Sequence, residues 1–220
     1  GEWNGKVVLV ADNADSAGDF SAMLETVAVG FVPPPFTPER IYHTPPTTTA
    51  AEIRAAVLQA WHAGAGVVMF AGHASVHQWA VEAFLHLNDV AGLTNGRRLP
   101  VALEMTCFTA SFHWPQYATL DEALVRQVGG GAVAAWGSTG LGISTGHDEL
   151  AKGFMREVYV RGNAVAGQAT LAGKLQLLAR KPYYSDLVDT FTWLGDPALR
   201  IALEIIPDSP GLIFLPSIFR

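Results

Sequence analysis

The chain of 220 residues contains one cysteine. A single thiol makes neither an internal disulfide nor a multi-cysteine zinc cage, so Cys107 can matter only through its own reactivity or its packing. Charge is scarce as well: Asp, Glu, Lys and Arg make up 15% of the residues, against 50% hydrophobic ones. That balance excludes a disordered chain and a coiled coil. Lys and Arg number 14 against 20 Asp and Glu, a net charge of −6. The pairs Arg97–Arg98 and Arg180–Lys181 do not extend into a patch. Phosphate binding needs clustered cations, so no nucleic-acid partner is expected. No apolar run is long enough to span a bilayer and no signal-peptide pattern occurs. The chain begins at Gly1 without a Met, as a processed or excised piece would.

What is present is an alternation of strand and helix. Lys6–Ala11 (KVVLVA) reads as a buried strand followed by the turn-rich loop Asp12–Gly18. Asp19–Ala28 carries helical spacing, the Pro-rich stretch Val32–Pro38 ends it, and Arg40–His43 reads as a second strand. Thr49 and Glu52 fit a capping box for a helix that Gly64 stops. Gly66–Ala71 and Leu99–Thr106 are continuous apolar strands leading into Gly72–His73 and Cys107. Thr119 and Glu122 fit a second capping box, for a helix that Gly129–Gly131 stops. Ala132–Trp136 reads as a fifth strand, helical periodicity returns over Asp148–Val160 and Ala164–Ala179, and Ala198–Leu203 reads as a sixth strand. Continuous apolar strands alternating with helices imply a mainly parallel sheet covered on both faces. The expectation is one three-layer α/β/α domain over residues 1–206. Residues 207–220 would form an extended tail or the start of a following module.

Ligands of an open parallel sheet collect outside the carboxyl ends of its strands, and His73 and Cys107 both sit at such ends. A thiol needs help near neutral pH because only the thiolate attacks well, and an imidazole can take that proton and later return it. The bland alternative is a buried small hydrophobe beside a structural histidine, and spacing alone leaves both open. His77 and His113 lack a metal-ligand pattern in a suitable element, and no GxSxG occurs. Asp12, Asp15 and Asp19 offer oxygens for a structural calcium but miss the DxDxDG order, and helix-capping acids in a polar loop explain them more cheaply. No cofactor is required by these residues.

Several strings resemble a known family in order and approximate spacing. Phe70-Ala-Gly-His73-Ala74 with Trp79 is similar to the histidine loop of the gingipain family of cysteine peptidases, and Met105-Thr-Cys107-Phe-Thr-Ala-Ser-Phe112 to its nucleophile segment. Gly131–Thr139, Gly146–Leu150 and Leu194–Leu199 follow, and Val8–Phe20 precedes, so the resemblance spans roughly Lys6 to Leu203.

The resemblance implies a caspase-like sandwich, a peptide or protein substrate and a secreted or cell-surface bacterial setting. It makes His73 the general base and acid and Cys107 the nucleophile. The oxyanion hole would come from the backbone N–H groups of Cys107 and Ala74; the family has Gly where this chain has Ala74. Asp19 falls where an acidic residue lines the S1 pocket of Arg-selective members, with Ser138 and Thr139 in the pocket wall. The competing role for Asp19 is a helix N-cap. Asp12 is the nearest match to an acid that orients the histidine, with Asp15 behind it. Two further readings stay open: a caspase-like scaffold with weakened catalysis, and an effector active only within a larger assembly.

Overall fold

A computed structural model describes residues 2–204; the expected tail at 207–220 lies outside the described residues. A six-stranded sheet forms the middle layer, in the order β2-β1-β3-β6-β7-β8. Its strands are β1 (Lys6–Ala11), β2 (Thr37–Tyr42), β3 (Val67–Ala71), β6 (Val101–Met105), β7 (Ala134–Ser138) and β8 (Phe191–Leu194). All pairings are parallel except β7 with β8. A small antiparallel pair, β4 (Gln78–Trp79) and β5 (Leu85–His86), lies between β3 and β6 in sequence.

Strand alternation explains the layers. Val7, Leu9 and Ala11 of β1 face one apolar cluster while Val8 and Val10 face the other. The first cluster is covered by α1 (Phe20–Phe31), α5 (Ser144–Met155, continued by one π-helical turn over Arg156–Val160) and α6 (Ala166–Arg180). The second is covered by α2 (Ala50–Ala63), α3 (Leu87–Val90) and α4 (Leu120–Arg126). A short α7 (Asp186–Thr190) precedes β8. Both expected capping boxes form, with Thr49 and Thr119 each exchanging bonds with the residue three further on.

Three expectations are corrected. The sixth strand is Phe191–Leu194, antiparallel to β7, and not Ala198–Leu203. Gly195 and the turn at Asp196, whose Oδ1 accepts from the Ala198 N–H at 2.8 Å, end the strand first. Ile201 is nevertheless buried, with Arg200 forming an isolated bridge to Val165. Strand β2 starts at Thr37 and takes in Pro38, which an edge strand tolerates because no further neighbour needs its missing N–H. Helix α5 starts at Ser144, four residues ahead of Asp148, so the Gly146–Leu150 string is helical.

Candidate active site

Strands β3 and β6 are hydrogen-bonded neighbours, with Ala71 and Met105 as register partners at their carboxyl ends. His73 and Cys107 each lie two residues beyond that pair, so the sheet sets them on adjacent ends at the same level. Between them Thr106 Oγ1 donates to the Gly72 carbonyl at 2.7 Å, a buried bond joining the two turns. Gly72 permits a close approach: a Cβ there would come within 2.4 Å of Asp12 Cβ and 2.7 Å of Phe70 Cζ.

The His73 side chain is half exposed, with Nε2 at 2.9 Å from Asp15 Oδ2 and the edge of the Phe20 ring 5.5 Å away centre to centre. Asp15 is itself held: it exchanges backbone bonds with Gly18, and its Oδ1 accepts from the Ala17 N–H at 2.7 Å. That N–H, with His73, keeps its carboxyl below the usual value.

Asp12 does not meet the imidazole as expected. Its Oδ2 accepts the backbone N–H of His73 at 3.2 Å, and its Oδ1 accepts that of Asn13 at 2.8 Å. The reason is position: Asp12 continues β1, its N–H bonding to the Ala71 carbonyl, so its side chain lies under the histidine turn. Asp15, three residues on, reaches the ring. Burial pushes the Asp12 carboxyl up, against the pull of the two N–H groups.

Cys107 is partly buried, and the loop after β7 closes on it. The Gly142 N–H donates to Sγ at 3.3 Å, and Sγ lies 3.8 Å from the Gly142 carbonyl. Burial raises the thiol pKa while that N–H opposes the rise. Phe108, next in the chain, has φ +63°. Such a value strains a bulky residue by about 1–3 kcal/mol and concentrates at functional turns. Its N–H donates to the Gly140 carbonyl at 3.2 Å.

Ala74 is not among the left-handed non-glycine residues, which are Ala80, Ala83 and Phe108. Alanine in place of glycine therefore costs no backbone strain there. Among the described residues, neither the Ala74 nor the Cys107 N–H has a hydrogen-bond partner.

Asp19 takes its N-cap role: Oδ1 accepts from the Ala22 N–H at 2.9 Å and from Ser21 Oγ at 2.8 Å. Those bonds lower its pKa, the carboxylate is exposed, and Oδ2 is uncommitted among the described residues. The hydroxyls of Ser138 and Thr139 are hydrogen-bonded at the turn that follows β7. Ser138 is fully buried and exchanges bonds with Gly140, donating at 3.0 Å and accepting at 3.2 Å. Thr139 Oγ1 donates to the Thr190 carbonyl at 3.1 Å. Both close the turn after β7, and the exposed members of that loop are Leu141 and Ile143.

Three further features carry little signal in the sequence. His147 on α5 is buried, hydrogen-bonds to the Met105 backbone and has no partner for Nε2; a Cβ on Gly142 would come within 2.1 Å of that nitrogen. Burial brings its pKa down to about 4. Glu104 and Asp121 form a fully buried acid pair, tied by Trp79 Nε1 donating to Glu104 Oε2 at 2.5 Å and Thr109 Oγ1 to Asp121 Oδ2 at 3.3 Å. A lone acid inside the apolar run VALEM was its one visible signal. The third feature is a cluster of Asp12, His43 and Glu82. Of the loop acids, Asp15 meets His73, Asp19 caps α1, and Asp12 belongs to this third group.

The class is thus defined: a mainly parallel α/β/α sandwich with a histidine and a cysteine on adjacent strand ends. The chain belongs to peptidase family C25, whose model matches residues 1–202. The fold is that of the solved Arg-specific cysteine proteinase gingipain R, at TM-score 0.76 and 22% identity over 91% of this chain. A complex of the pro- and mature domains of RgpB from Porphyromonas gingivalis gives 0.77 and 20% over 91%. The chain spans 48% and 49% of those two structures' chains, about half their length. Among curated proteins no sequence match is found.

Proposed function

We propose that this chain is the catalytic unit of a cysteine endopeptidase. The observation that carries the reading is the register: His73 and Cys107 stand at equivalent positions beyond a paired Ala71 and Met105 in a C25 domain. In the proposed cycle His73 removes the Cys107 proton as Sγ attacks the scissile carbonyl carbon. The tetrahedral oxyanion is met by the free N–H groups of Cys107 and Ala74, donors worth about 3 kcal/mol of barrier in comparable sites. His73 then protonates the leaving amine, which departs as the C–N bond breaks and leaves a thioester on Cys107. Water, deprotonated by His73, hydrolyses the thioester and restores the thiol. Asp15, with Oδ2 at 2.9 Å from Nε2, holds the imidazole in place through each transfer.

For specificity we infer a basic P1 side chain. Gingipain R is Arg-specific, and in this chain Asp19 keeps an uncommitted carboxylate oxygen on the residue before Phe20, the ring that abuts His73. The exposed Leu141 and Ile143, with Phe112 and Trp114 after Cys107, favour a second reading in which this apolar rim meets a partner and activity appears only in a larger assembly.

The test is covalent labelling with acyloxymethyl ketones bearing Arg, Lys or Leu at P1, the adduct being located by mass. Modification of Cys107 by the Arg and Lys reagents and its loss in His73→Ala are expected. Preference for the Leu reagent removes the basic P1 assignment, and no labelling of Cys107 removes the peptidase reading for the isolated chain.

A further inference from the structure

Strand ends β2, β1 and β3 lie side by side, and the next residue of each of the first two carries a metal-binding side chain. His43 follows β2 and donates its N–H to the Ala11 carbonyl at 2.9 Å; Asp12 follows β1. The third member comes from the turn between β4 and β5. Ala80 at φ +55° and Ala83 at φ +56° bend that turn so that Glu82 comes back toward the sheet edge. One ligand atom from each of Asp12, His43 and Glu82 lies within 4.8 Å of the other two.

From this juxtaposition we propose that Asp12, His43 and Glu82 bind a first-row divalent cation of the Zn2+ class, beside the catalytic histidine loop. Independent support comes from His43 itself. The residue is only 6% exposed, packs edge-on against Phe84 at 5.1 Å, and its Nδ1 is buried with no hydrogen-bond partner. An orphaned imidazole nitrogen costs about 1–3 kcal/mol, which a metal bond would remove. Charge points the same way. Neither Asp12 nor Glu82 forms an ion pair with Lys or Arg among the described residues, so two acids and an imidazole converge without a cation.

The donor set selects the metal. Calcium takes six to eight oxygens and rarely an imidazole, whereas one nitrogen with two carboxylates suits zinc and its neighbours, at bond lengths near 2.0–2.2 Å. Three protein ligands leave a coordination position for water. The site would act on the peptidase centre through Asp12, whose Oδ2 also holds the His73 N–H at 3.2 Å. A bound cation would fix Asp12 and with it the histidine turn.

The experiment uses the full chain carrying Cys107→Ala, because zinc also binds thiol–imidazole pairs and that route must be closed. The protein is stripped with chelator and titrated with Zn2+ alone, and separately with Ca2+ alone, by calorimetry and native mass spectrometry. One Zn2+ per chain, with Ca2+ much weaker, is expected. Adding His43→Ala should weaken Zn2+ by at least the roughly 100-fold that even supporting residues of metal sites contribute. Glu82→Gln, at an exposed position that folding does not need, should also weaken it and covers the case in which His43→Ala fails to fold. Zn2+ binding unchanged by Glu82→Gln, absence of stoichiometric Zn2+ binding, or equal Ca2+ affinity would overturn the assignment. None of these results depends on peptide cleavage, so the metal site and the peptidase reading fail separately.

Discussion

The backbone N–H of Gly142 donates to the sulfur of Cys107 at 3.3 Å, from the loop after β7. Among the described residues that bond is the one influence that opposes the rise in the thiol pKa caused by burial. Burial thus favours the thiol form of Cys107 in the free chain, and in the proposed cycle the proton leaves as the substrate is attacked. The expected outcome is an iodoacetamide alkylation rate at Cys107 that is still climbing above pH 9. His73→Ala should leave that profile in place while cutting peptide turnover by roughly 10²–10⁴-fold. An alkylation plateau reached below pH 8 would show a preformed thiolate and contradict the arrangement.

The two acids at the histidine have different work, and substitution should separate them. Asp15 is exposed and among the described residues bonds to the ring and its own loop, so Asp15→Ala should leave thermal stability within about 0.5 kcal/mol. It should reduce kcat by ten-fold or more, on the order of a lost general-base partner, with little change in KM. Asp12→Ala removes a buried acceptor from two N–H groups, and a cost of about 1–3 kcal/mol in stability is expected together with lost activity. Equal thermal melts for the two variants would sink this division of roles.

The strands that lead into the candidate site were legible because each is a continuous apolar run ending in a polar turn: Lys6–Ala11, Val67–Ala71 and Val101–Met105 are found within one or two residues of their expected limits. His73 and Cys107 follow from the same pattern. What local periodicity does not encode is pairing at a distance. Asp12 and Asp15 are indistinguishable as loop acids until β1 and β3 are set side by side, and His43 looks like the end of a strand until Glu82 folds back over it. Phe191–Leu194 was missed for a related reason. Only Phe191 in it is buried, so it lacks the fully apolar run of an inner strand.

His147 should govern acid stability. Its pKa falls from 6.5 free to about 4 in the fold because burial disfavours the imidazolium. A lowered histidine pKa means that the unfolded chain binds the proton first. Its contribution is complete above pH 6.5 and is lost as pH falls toward 4, by roughly 3 kcal/mol at 1.36 kcal/mol per unit. Urea midpoints of wild type should therefore drop between pH 6.5 and 4.5 relative to His147→Gln. Parallel curves for the two proteins would exclude this role.

The buried acids Glu104 and Asp121 push in the other direction. Burial, and for Glu104 the nearby Asp121 charge, raise both pKa values. The fold then keeps protons that the unfolded chain releases above the ordinary carboxylate range near pH 4. Stability from this pair is greatest at low pH and declines as pH rises toward neutrality, with a slope of up to about 1.4 kcal/mol per pH unit for each proton retained. His147 gains stability over part of the same interval, so the two devices offset each other in wild type. Asp121→Asn keeps the shape, with an amide that needs no proton to sit beside Glu104 and can still accept from Thr109. Its stability relative to wild type should rise steadily between pH 4.5 and 7.5, measured by urea unfolding. A difference that stays flat or reverses would mean that the pair is ionised in the fold. The bond from Trp79 to Glu104 and that from Thr109 to Asp121 would then be holding a charge instead of a proton beneath the Cys107 turn.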